Sequence, residues 1–86
     1  MKSKKKMLIE LVDKAQEFGL SDNDSIEAKR FLEYNEYELS FDLVINQLYE
    51  FELPIGSDFY LMVVQIAKEL NLPAENYVFL EELLRN

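Results

Sequence analysis

Gly19, Pro54, Gly56 and Pro73 are the only glycines and prolines in this chain, and between them apolar side chains recur every three or four positions. That spacing places successive apolar groups on one face of a helix. Met7, Leu8, Leu11, Val12, Ala15 and Phe18 mark a first amphipathic helix from about Lys4 to Phe18, with Gly19 at a left-handed C-cap. Ser21 and Asp24 have the S-x-x-D spacing of a capping box. They open a second helix to about Tyr34 that buries Ala28, Phe31 and Leu32. Asn35 and Glu36 mark a tight break. Tyr37, Phe41, Val44, Ile45, Leu48 and Phe51 then form the widest apolar stripe, expected for a third helix at the centre of a bundle. Pro54 and Gly56 end that unit.

Ser57 is the expected N-cap of a fourth helix, with Asp58 in its first turn and Phe59, Met62, Val63, Ile66 and Leu70 inward. After a turn over NLPAEN, Tyr77, Leu80 and Leu84 suggest a last short helix. The run YLMVVQIA lacks alternation, and no strand partner with turn signals accompanies it. The expected fold is all-α: one domain over residues 1–86, four helices plus a short C-terminal helix, with residues 1–6 a frayed basic end.

At 86 residues the chain supports one small core, and without cysteine it is held by packing alone. The lysine-rich start is followed by an apolar run broken at Glu10, Asp13 and Lys14, so it does not read as a signal peptide. No stretch approaches the length of a membrane span. A cytoplasmic location fits these features. A net charge of -8 opposes nucleic-acid and anionic-membrane binding, because phosphate recognition needs a basic footprint. A basic protein is the natural partner.

The chain has neither histidine nor cysteine, which removes zinc-finger patterns and the usual nucleophile and base pairs. The segment from Asp22 to Glu27 fails the calcium-loop pattern, with Ile26 at position five and Glu27 at position six, and capping explains it better. There is no phosphate-binding glycine motif. Catalytic residues, cofactors and metal are not expected. A metal-dependent or glycosidase activity is kept as a formal alternative that any turnover abolished by one acid substitution would revive.

A surface signal survives these exclusions. Glu38, Asp42, Asn46 and Glu50 follow at intervals of four on the third helix, and the segment from Phe31 to Ala67 holds seven acids and no basic residue. Like charges at that interval weakly destabilise a helix. Tyrosines stand nearby, and tyrosine suits interface centres. The expected partner-binding residues are Glu33, Tyr34, Glu36, Glu38, Asp42, Tyr49 and Glu50. Glu36 has two readings, as a cap accepting from free N–H groups of the third helix and as a partner contact. Glu75, Glu81 and Glu82 form a second acidic cluster.

The stretch FLEYNEYELSFDLVINQLYEFELPI resembles the central motif of the small MafI-type bacterial immunity proteins. The matching residues are Tyr34, Asn35, Glu36, Tyr37, Leu39, Phe41, Leu48, Glu50, Pro54 and Ile55. Tyr60 and LNLPAENYVFLEEL are also similar, so the likeness spans about residues 26 to 84, with Ser40 where alanine is common. It implies an immunity protein that binds and neutralises a secreted or contact-delivered bacterial toxin, often a nuclease. The acidic charge adds the expectation that it masks a basic active-site surface of that cognate toxin. The chain is similar in size and charge to the colicin DNase immunity proteins but carries none of their motif residues. The alternative is a non-enzymatic helical adaptor or regulatory protein with another basic partner. A DNA mimic would need regularly spaced acids over several helices, and one row is present.

Overall fold

The computed structural model describes residues 2–85. Four α-helices follow one another: α1 Lys4–Glu17, α2 Asp22–Glu33, α3 Tyr37–Glu50 and α4 Ser57–Glu69. Two short 3-10 turns, Ala74–Asn76 and Val78–Leu83, complete the all-α bundle, the second standing where the short fifth helix is expected. The backbone radius of gyration is 11.6 Å, against roughly 12 Å for a compact chain of this length.

Each helix ends in the same way. The residue after the C-cap takes a positive φ: Gly19 at 118°, Asn35 at 59°, Glu52 at 51° and Asn71 at 59°. Around Asn35, the Glu36 N–H donates to Phe31 O at 2.9 Å and the Asn35 N–H donates to Leu32 O at 3.1 Å. The same pair of bonds recurs at Leu20 and Gly19, at Leu53 and Glu52, and at Leu72 and Asn71. This is the Schellman motif, which satisfies carbonyls that the last helical turn leaves without partners. The hydrophobic residue that follows each of Gly19, Glu52 and Asn71 turns inward. Leu20 is buried, and Leu53 and Leu72 pack partly against the core.

Starts are less uniform. Ser3 and Ser21 cap α1 and α2, accepting from the N–H groups of Lys6 at 3.2 Å and Asp24 at 3.1 Å. The expected frayed end therefore does not extend through Lys4, Lys5 and Lys6, which form the first turn of α1. The capping box at Ser21 is only half made. The Asp24 carboxylate accepts instead from Gln47 Nε2 at 2.9 Å, tying the start of α2 to the end of α3. Gly56, not Ser57, is the N-cap of α4, and Ser57 is already helical.

The core is built by α1 as much as by α3. Leu8, Leu11, Val12 and Ala15 of α1 are fully buried, as are Phe41, Val44, Ile45 and Leu48 of α3. Helix α1 touches α2, α3 and α4, whereas α3 touches α1, α2 and the second 3-10 turn. Ser40 explains the close fit of α2 on α3: its fully buried hydroxyl donates to Ala28 O at 2.9 Å. Two inward assignments are corrected. Phe31 is only half-buried, and Phe51 is 62% exposed because the chain leaves the helix there and turns away from the apolar stripe. Met62 is half-buried and packs against the core.

The C-terminal segment is fastened to the loop between α3 and α4. The Ile55 N–H donates to Leu83 O at 3.0 Å, and the Arg85 N–H donates to Ile55 O at 2.9 Å, forming a parallel bridge between Ile55 and Leu84. Leu84 is thus extended rather than helical. This clamp, together with buried Leu80 and Leu83, lays the second 3-10 turn against the flank of α3.

Candidate protein-binding surface

The expected contact residues lie at the end of α2 and along α3 and do not converge on a point. Glu33 ends α2 and Tyr34 is its C-cap, 72% exposed. Glu36 is the N-cap of α3, yet its side chain makes no cap bond, which removes the capping reading. Glu38 lies in the first turn of α3, where the helix dipole favours an acid, so its own helix accounts for its charge. Glu50 is the last residue of α3, where the dipole disfavours an acid, and no basic residue offsets it in that turn. Helix stability does not explain Glu50.

The row at intervals of four also precesses. Each step turns about 40° around the helix and advances roughly 6 Å, so Glu38 and Glu50 stand about 18 Å apart along the axis. Leu39, 48% exposed, and half-buried Leu43 lie beside Asp42, Asn46 and Glu50 on that outer face. The strip is therefore acidic with apolar groups set into it, rather than uniformly polar. The Asn46 amide donates to Asp42 O at 2.7 Å and so lies back along its own helix. Burial first, and the neighbouring Glu38 carboxylate second, hold the Asp42 carboxyl above its usual 3.8.

Tyr49 links the two acidic clusters. Its ring meets Phe79 edge-on at a centroid distance of 4.9 Å. Its hydroxyl lies 3.4 Å from both carboxylate oxygens of Glu82, which raise its pKa above 10.0, with Glu52 adding to the effect. Tyr49, Glu50, Glu52, Glu82, Leu83 and Arg85 line one shallow depression. The central row and the C-terminal cluster thus meet at the end of α3. Glu81 stands apart from it, accepting from the Tyr60 hydroxyl at 3.1 Å.

Lys4 shares a second depression with Asn35, Glu36, Tyr37 and Glu38, although no ion pair within 4.0 Å joins them among the described residues. The absence of basic residues along the sequence is therefore partly undone in space at the start of α3. At its other end Arg85 turns away from the carboxylates, donating to Glu82 O and Leu84 O.

Leu39, Phe51, Glu52 and Arg85 were not singled out by sequence reasoning as surface residues. A signal existed for Leu39, which lies off the apolar stripe of α3. Glu52 adds backbone strain, since a non-glycine residue at φ 51° costs about 1 kcal/mol relative to glycine. Among the described residues no group of three acids could hold a metal ion, and no helix is long and apolar enough to cross a membrane. No family model, curated protein or solved structure matches the chain.

Proposed function

We propose that this chain is an immunity protein that binds a cognate basic toxin domain through the outer face of α3 and the adjoining second 3-10 turn. The observation that carries the reading is the continuity of that surface. Glu38, Asp42 and Glu50 run along α3, Tyr49 bridges to Glu82, and exposed Tyr34 and Leu39 supply apolar contact area. An interface of this kind combines anchors that exclude water with charges that steer a basic partner. Acidic side chains would occupy the cationic surface on which substrate phosphates lie, so inhibition follows from masking. The likeness of FLEYNEYELSFDLVINQLYEFELPI to the MafI-type motif supports the same reading, as does the -8 charge, and the site of action would be cytoplasmic.

The test is co-purification with the product of an adjacent toxin gene, growth protection against that toxin, and titration calorimetry. The double variant Glu38→Lys/Asp42→Lys should keep its circular dichroism spectrum and bind at least about tenfold more weakly. Its affinity should also depend less steeply on salt. Unchanged affinity and unchanged salt dependence would move the site off α3. Failure of the wild type to bind or protect against any adjacent toxin would remove the immunity reading itself.

A further inference from the structure

We propose that α4 carries a self-complementary face through which two copies of this chain pair antiparallel about a twofold axis. The face is separate from the acidic strip and independent of the reading above. Asp58, Leu61, Gln65 and Lys68 are all exposed and follow at spacings of three, four and three. That spacing is the seam of a two-helix coiled coil, here on the side of α4 opposite buried Phe59, Val63, Ile66 and Ala67. Leu61 stands out with 64% of its surface exposed. Neither Asp58 nor Lys68 forms an ion pair among the described residues.

Charge decides the orientation. With two such helices antiparallel, Asp58 of each copy opposes Lys68 of the other, and Leu61 opposes Gln65. Two ion pairs then flank two central leucines, every contact occurring twice as a twofold requires. Parallel pairing would set Asp58 against Asp58 and Lys68 against Lys68. The receiving surface is also present. A groove between α1 and α4 has Asp58, Leu61 and Gln65 in its α4 wall, with Met7, Met62 and Ile66 and the 2.7 Å Lys2–Glu10 ion pair completing its lining. Antiparallel pairing lays Leu61 of one copy over that groove in the other, where the flexible methionines adapt to it. Thirteen residues give a contact only about 20 Å long, so the dimer is small and weak, with Kd on the order of 10–100 μM.

Sedimentation velocity from about 10 μM to about 1 mM tests the pairing, because that range brackets the expected Kd. The average mass should rise from 10.2 kDa toward twice that value. Leu61→Glu and Lys68→Asp should each weaken association at least about tenfold, whereas Asp58→Lys/Lys68→Asp should recover it. All these positions are solvent-exposed, and circular dichroism checks each fold; Leu61→Ala replaces Leu61→Glu should the latter not fold. A wild type that stays at 10.2 kDa throughout overturns the proposal and leaves the groove to another occupant. A dimer indifferent to Leu61 and Lys68, or one that the charge exchange does not restore, overturns it equally.

Discussion

Tyr60 and Asp42 show how single ionisable groups report on their surroundings. Burial first, then the hydrogen bond to Glu81, pushes the Tyr60 hydroxyl up to about 12. The native state therefore holds a proton that the unfolded chain releases above its ordinary 10.0. The stability this contributes is complete below pH 10 and is lost as pH rises toward 12. Urea unfolding of Tyr60→Phe should show a shallower loss of stability across that window, with a cost under about 1 kcal/mol at pH 7 for the exposed bond. Asp42 shows the same direction in the acid range. Its raised carboxyl contributes stability at low pH that disappears as pH rises from 3.8 through its native value. In Glu38→Gln, carbon-detected NMR should place the Asp42 carboxyl lower than in the wild type but still above the usual range, since burial is the larger cause. A full return to the ordinary value would show that Glu38 alone sets it.

At the level of the helix, the four Schellman ends differ in cost although their hydrogen bonds are alike. Glycine occupies only the first, and there a Cβ would also come within 3.2 Å of Leu53 Cδ2. Gly19→Ala should therefore destabilise by more than about 1 kcal/mol, combining positive-φ strain with that crowding. Glu52→Gly should do the reverse and stabilise by roughly 0.5–1 kcal/mol, because it relieves strain at φ 51° and removes one acid beside Glu50 and Glu82. The pair of midpoints in chemical denaturation checks both signs. Should Glu52→Gly also weaken binding of the proposed partner, the strain at that position serves the surface and not the helix end.

For the molecule as a whole, the C-terminal segment decides whether the acidic strip exists in its full form. It buries Leu80 and Leu83, bridges to Ile55, and brings Glu82 to Tyr49. A chain ending at Tyr77 loses two core leucines, each worth roughly 2–5 kcal/mol, against a total of about 5–15 kcal/mol for a domain. It should unfold at markedly lower urea, by at least about 4 kcal/mol. The fluorescence of Tyr49, freed from Phe79 and Glu82, should change in step with that loss. A truncated chain with wild-type stability would show that α1 to α4 hold together without the tail.

The helices were legible before the fold because they rest on local causes. Apolar groups at a spacing of three to four define the inward face wherever the chain folds, and Gly19, Asn35, Pro54 and Pro73 interrupt it where local φ preferences or a missing N–H forbid continuation. The core positions of α3 followed from the same periodicity. Its failures lie at the ends: Phe51 falls on the stripe but one residue past the helix, and Ser57 has the chemistry of a cap while Gly56 occupies the place. The surface was legible only as a list of acids along α3. No local preference couples residues 33 positions apart, so the meeting of Tyr49 with Glu82 depends on the Ile55–Leu84 bridge closing the tail onto the bundle. The same long-range packing set Lys4 beside Glu36 and Glu38. Charge along a chain is a sum, whereas the field a partner meets depends on which groups packing brings within a few ångströms of each other.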